Sequence, residues 1–179
     1  RAQVMQIYNQ TKSYLKNPQP VSDNLLYGEF HENSKHTTRM PYMKPVYDVL
    51  EKNRGKVIYF DFWARWCPPC LAEMEPLKQL RSKFSTDDLI IYSICVSEPK
   101  EQWEECLNEY SLKNRGIECV HVTDYLGIDN YQKIRKQWKI DRMPYYVLIN
   151  RKGQIIDFGT AARPSNPVSY THLRAHETR

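Results

Sequence analysis

The chain has 179 residues, 41% hydrophobic and 26% charged, which fits one ordinary domain with some length to spare and is too apolar for a disordered chain. Lys and Arg outnumber Asp and Glu by 26 to 21, but a net charge of +5 with no long basic run gives a mildly basic surface and not a nucleic-acid footprint. No apolar run approaches the roughly 18 residues of a membrane span, and five cysteines spread over this length exclude a small disulfide-stapled scaffold.

Arg1 stands first, inside an apolar periodicity of Val4, Ile7, Tyr8, Thr11, Tyr14 and Leu15. That spacing predicts an amphipathic helix already under way, ended by Asn17-Pro18. The expectation is a chain cut from a longer protein, with any signal region upstream. A polar, Pro-punctuated connector follows, with His31 and His36 read as solvated, so residues 1–40 form a helical segment and connector. The segment MKPVYDVLEKN predicts a short helix ended near Gly55.

Lys56 to Trp63 (KVIYFDFW) is β-branched and aromatic, the profile of a buried central strand. From Pro68 to Phe84, Leu71, Met74, Leu77, Leu80, Arg81 and Phe84 keep the helical period. Leu89 to Val96 (LIIYSICV) is a nearly continuous apolar run of strand length, and Glu98 to Tyr110 predicts a helix with Trp103, Cys106, Leu107 and Tyr110 on one face. Ile117 to Val122 is a short strand and Asp129 to Trp138 a helix. Tyr145 to Asn150 and Gln154 to Phe158 flank Arg151-Lys152-Gly153, a turn that marks an antiparallel hairpin. The order implies an α/β domain at residues 41–167, a mixed central sheet flanked by helices with an inserted helix and strand. From about Val168 the chain ends in SYTHLRAHETR, which resembles a translated adapter sequence. Residues 168–179 are therefore expected to be a non-native tail that truncates the last helix, the alternative being a short polar terminus.

The chemistry concentrates at Cys67-Pro68-Pro69-Cys70, directly after a strand and opening a helix. Unpaired N–H groups and the positive end of the dipole at a helix start favour a thiolate, and can lower a cysteine pKa from about 8.5 to roughly 3.5–7.5. Arg65 adds positive potential if it turns toward the site. Cys70, about one turn inside, is close enough to close a disulfide and less exposed. Cys67 is thus the attacking sulfur and Cys70 the resolving one. The competing reading is half of a zinc knuckle, but Cys95, Cys106 and Cys119 form no second pair of that spacing. Cys95 reads as a small core residue, and Cys106 with Cys119 leaves open a second, structural disulfide.

DFWARWCPPC resembles the active-site segment of thioredoxin-fold proteins, and CPPC followed by LAEMEPL is similar to the TlpA/ResA-like branch of envelope thiol–disulfide oxidoreductases. Arg142-Met143-Pro144-Tyr145 resembles that family's cis-proline loop, and AARP at Ala161 to Pro164 its entry to the final helix. The resemblance covers about residues 40 to 166. It implies a thioredoxin-like fold and disulfide exchange with cysteines of other envelope proteins. It also implies an upstream electron donor or acceptor, and no cofactor beyond the cysteine pair. The location it implies is periplasmic or membrane-anchored.

The resemblance further implies roles for single residues. Asp61 would be a buried acid beneath the disulfide that exchanges a proton with Cys70, its pKa raised by low dielectric; a strand-end carboxylate facing solvent is the alternative. Glu73 matches a glutamate near the active site, or is a solvated helix residue. Pro144 would be cis and pack on the disulfide, leaving the Met143 backbone to pair with a substrate chain. Trp66 would form an apolar substrate rim, while Trp63 packs in the core. Where the family commonly has proline five residues after the second cysteine, this chain has Glu75 and then Pro76, which shifts any helix kink by one residue and leaves the orientation of Glu73 open. Two other functions compete: a non-catalytic binding module with a permanent disulfide, and a thiol peroxidase, against which Ala64 stands three residues before Cys67 where that class has threonine.

Overall fold

The computed structural model describes residues 40–177 apart from 98, 152 and 154. The expected N-terminal helix and the connector with His31 and His36 lie outside the described residues.

A 3-10 turn at Pro41–Met43 leads into helix α1 (Lys44–Lys52), in the order the sequence predicts. Strand β1 (Val57–Trp63) is buried along its whole length and forms the centre of a five-stranded sheet. Strands β2 (Leu89–Cys95) and β3 (Ile117–His121) run parallel to it on one side, while β4 (Tyr145–Ile149) and β5 (Ile155–Gly159) form an antiparallel hairpin on the other. The spatial order is β3-β2-β1-β4-β5. The hairpin turn closes with Gly153 N–H donating to the Asn150 carbonyl at 2.9 Å, and Gly153 sits at φ +76°, a conformation that costs glycine nothing.

Because side chains alternate along a strand, β1 sends Ile58, Phe60 and Phe62 to one face and Tyr59, Asp61 and Trp63 to the other. The first face is covered by α1, by the short helix α5 (Val122–Tyr125) and by α6 (Ile128–Gln137), with Phe60 and Phe62 packed on Trp138. The second face is covered by α2 (Pro68–Ala72), α3 (Met74–Ser82) and, toward β3, the inserted α4 (Lys100–Glu109). This second face holds the cysteine pair.

Two sequence expectations are corrected. The helix predicted over Pro68 to Phe84 is two helices, broken at Glu73. Pro76 has no N–H to donate to the carbonyl four residues back, and its ring crowds that group, so the first helix ends at Ala72. The second correction concerns the chain end. Residues Pro167–Glu177 form helix α7, and its Leu173 is buried among Tyr59, Leu77 and Ile91 on the second face. The Asn166 side chain caps this helix by accepting from Val168 N–H at 3.0 Å, and Tyr170 packs on Phe84 with ring centroids 5.6 Å apart. The last helix is therefore present, and it covers the surface that a truncation would have left open.

One buried charge on this face is satisfied by backbone. Arg81 of α3 donates to the carbonyls of Leu89 and Phe84 at 2.5 and 2.6 Å, joining the helix to the start of β2.

Candidate active site

Cys67 ends the loop after β1 in an extended conformation and caps α2, and its sulfur is bonded to that of Cys70. Cys70 N–H donates to the Cys67 Sγ at 3.3 Å and to the Cys67 carbonyl at 2.9 Å. The two prolines between them sharpen this arrangement. Pro68 and Pro69 carry no N–H, so the donors usually found in a helix first turn reduce to those of Cys70 and Leu71. Since α2 has only five residues, the local amide of Cys70 and not a long helix dipole is what faces the sulfur. Both cysteines are enclosed, Cys67 at 4% and Cys70 at 1% exposure, in the predicted order.

The loop that carries Cys67 is held from two sides. Val96 N–H donates to the Trp63 carbonyl at 2.8 Å, and Arg65 N–H donates to Ser97 Oγ at 3.1 Å. The Arg65 guanidinium does not turn to the sulfurs; it pairs with Glu105 of α4 at 2.9 Å. Trp66 projects into solvent at 69% exposure beside exposed Pro68 and Pro69, while Trp63 is buried in the core. The Met143–Pro144 peptide is cis, and half-buried Met143 packs against the cluster that contains Cys67 and Cys70. Trp66, Met143 and Pro144 thus lie on the loops around the disulfide.

Asp61 lies two residues before Trp63 on the same face of β1, at 4% exposure. Burial pushes its carboxyl up to about 7; Ser93 Oγ, donating to Oδ2 at 3.0 Å, pulls it down, and the Glu73 carboxylate adds a further upward push. A group of that pKa exchanges a proton near neutrality. Glu73 stands at the break between α2 and α3, 9% exposed, and is not a solvated helix residue. Its two oxygens accept from Ser165, one from N–H at 2.9 Å and the other from Oγ at 2.6 Å, so it ties the helix break to the loop before α7.

The other three cysteines form no disulfide: Cys95 and Cys106 are buried and Cys119 half-buried. Cys106 and Cys119 do not pair, and burial pushes their thiols up to about 11 and about 12, out of the range of a reactive thiolate. Cys95 is a core residue whose sulfur meets Ser97 Oγ at 3.1 Å. Among the described residues no group of three or more His, Cys, Asp or Glu side chains is placed to hold a metal ion, and no helix is long and apolar enough to cross a membrane.

Sequence reasoning misses three residues here. Ser93 is legible only as the single polar residue in an apolar strand. Tyr146, directly opposite Asp61 on β4, and Ser165, 92 residues from Glu73, give no local signal.

The family model described as Redoxin matches residues 44–172, which includes the first residues of α7. The thiol-disulfide oxidoreductase ResA of Bacillus thuringiensis is 26% identical over 108 residues, 60% of this chain and 57% of that protein. The sporulation thiol-disulfide oxidoreductase A of Bacillus subtilis is 23% identical over 108 residues, 60% of this chain and 61% of that one. The chain therefore spans about three-fifths of the length of these curated relatives. A solution structure from Bacteroides vulgatus, assigned as a thiol-disulfide oxidoreductase, is 32% identical with a TM-score of 0.56, covering 70% of this chain and 76% of that one. With the sheet order, the paired cysteines and a family match over most of its length, the chain belongs to the Redoxin family and is similar within it to thiol–disulfide oxidoreductases of the ResA type.

Proposed function

We propose that this chain is a thiol–disulfide oxidoreductase whose Cys67–Cys70 pair exchanges with cysteines of other proteins. The observation that carries the reading is the disulfide itself, closed at the start of α2 beneath an exposed rim of Trp66 and the two prolines, with a carboxyl of pKa about 7 on the same face of β1.

In the reducing direction the Cys67 thiolate attacks one sulfur of a substrate disulfide. A Cys67–substrate bond forms, the substrate disulfide breaks, and the departing sulfur leaves as a thiolate that takes a proton from solvent. Asp61 accepts the Cys70 proton, and Cys70 attacks the Cys67 sulfur. The Cys67–Cys70 bond forms, the second substrate sulfur leaves, and the substrate has gained the two electrons that the pair lost. The same steps in reverse oxidise a substrate dithiol. The cysteine pair is the electron carrier, and an upstream thiol partner resets it. Trp66, Met143 and Pro144 form the surface on which the substrate chain lies, with the Met143 backbone offering strand-like hydrogen bonds. Likeness to the TlpA/ResA branch supports a site of action in the cell envelope.

The test is reduction of a protein disulfide by the purified chain. Cys67→Ser abolishes turnover, while Cys70→Ser accumulates a Cys67–substrate mixed disulfide visible by mass spectrometry. Full turnover by Cys67→Ser overturns the mechanism. A Cys67–Cys70 disulfide that resists thiols poised near the thioredoxin range, about −270 mV, would instead mark a structural bridge in a binding module.

A further inference from the structure

Asp61 lies at the centre of a row that crosses four strands. In register with it are Tyr146 of β4 on one side and Ser93 of β2 on the other, with Cys119 of β3 beyond Ser93. Directly paired positions share a face of the sheet, so all four side chains point toward α2 and α3. Ser93 is fully buried in an otherwise apolar stretch of its strand, and its hydroxyl donates to Asp61 Oδ2 at 3.0 Å. The opposite neighbour behaves differently. The Tyr146 hydroxyl is buried and makes no hydrogen bond among the described residues, while its ring stacks on Tyr59 with centroids 5.6 Å apart. Tyr59 in turn spends its hydroxyl on the Ala162 carbonyl at 2.5 Å.

A serine in an apolar strand needs a partner, since a hydroxyl buried without one costs free energy. Here the partner is the buried carboxyl on the face of the sheet that carries the cysteines. The remaining groups facing Asp61 all oppose its ionisation or are neutral: Glu73 from the break between α2 and α3, Tyr59 from β1, Tyr146 from β4, and the Cys119 thiol from β3.

We infer that Ser93 is a positioning residue for the exchange reaction: its hydroxyl fixes one oxygen of the Asp61 carboxyl and supplies the side-chain donor that favours the ionised, proton-accepting form. The inference rests on the proposed role of Asp61, but the hold of Ser93 on the carboxyl is measurable apart from turnover. Serine at this place gives a carboxyl tuned by a neutral donor in place of a cation.

The readout is the titration of the Asp61 carboxyl carbon by NMR in the oxidised protein. Ser93→Ala moves the midpoint up by about one pH unit or more, as loss of a donor to a charged acceptor requires. Tyr146→Phe, which removes a hydroxyl that makes no hydrogen bond among the described residues, leaves it within a few tenths of a unit. Ser93→Thr and Ser93→Val share one shape and differ by the hydroxyl, so their comparison decides the matter should Ser93→Ala lose its fold: Thr keeps the wild-type midpoint and Val moves it further up. An unchanged midpoint in folded Ser93→Ala, or equal midpoints for Thr and Val, overturns the inference. If the midpoint moves while the pH profile of disulfide exchange stays fixed, the hold of Ser93 on Asp61 stands and the proton-accepting role of Asp61 is what fails.

Discussion

Replacing Asp61 by Asn should make the protein more stable in alkali while slowing its chemistry. In the fold the carboxyl is pushed from 3.8 up to about 7, chiefly because it is buried at the centre of β1. Between those values the folded chain holds a proton that the unfolded chain releases. The stability linked to that proton is fully present below about pH 4 and is lost as pH rises through about 7. Integrated over the interval, the loss amounts to about 4 kcal/mol. The substituted amide cannot ionise, and its carbonyl can still accept from Ser93. Urea unfolding of the oxidised wild type and variant at pH 5 and pH 8.5 isolates the effect. About two of the three pH units of loss fall inside that window. The difference in stability between the two proteins should therefore shift toward the variant by roughly 2–3 kcal/mol from the lower pH to the higher. Taking the difference of differences cancels the titrations that the two proteins share and the intrinsic cost of the substitution. A shift below about 1 kcal/mol, or one of opposite sign, refutes the assignment of Asp61 as a buried acid titrating near neutrality.

Further substitutions address the rest of the frame. Leu173→Ala should cost about 2–4 kcal/mol in urea unfolding, because Leu173 is buried under the sheet face that α7 covers; a cost within about 0.5 kcal/mol, the range of surface changes, would place α7 off the core. Glu73→Ala removes both acceptors from Ser165 and should cost about 2 kcal/mol by the same measurement, whereas Glu73→Gln keeps one oxygen and should recover part of it. Arg81→Ala strips the carbonyls of Leu89 and Phe84 of their side-chain donors and should lower the urea midpoint by a loss of about 2–3 kcal/mol. Trp66→Ala, at an exposed position, should leave unfolding within about 0.5 kcal/mol of wild type and raise KM for a protein disulfide, read from initial rates.

The strands and the cysteine pair are legible in the sequence because they are local. An apolar run such as VIYFDFW has the profile of a strand buried on both faces, as it is here, and CPPC after a strand marks the start of a helix. The break at Glu73 is signalled by Pro76, whose effect reaches four residues back to Ala72 and is easily read as a kink at the proline itself. Helix α7 is masked by a resemblance. Its local signals are present, with Asn166 at the cap and Pro167 at the first helical position, but the likeness of the tail to an adapter sequence outweighs them. The partners of Asp61 and Glu73 are not legible at all. Which residue of β2 faces Asp61 depends on the register of two strands 32 positions apart, and the Glu73–Ser165 contact joins positions 92 apart.

That dependence on register has a consequence for how this site is kept. A slip of one residue between β1 and β2 would set Ser93 against a neighbour of the opposite face and take its hydroxyl away from the Asp61 carboxyl. The apolar pattern opposes the slip, since it would also turn Tyr92 and Ile94 away from the aromatic layer of Phe60, Phe62 and Trp138. The layer on one face of the sheet therefore holds in place the polar row on the other. The aromatic face thereby stabilises the same strand pairing that sets the buried carboxyl, costly to ionise, at the centre of the sheet. The Asp61 carboxyl and its Ser93 partner are thus kept in register by rings on the opposite face of the sheet.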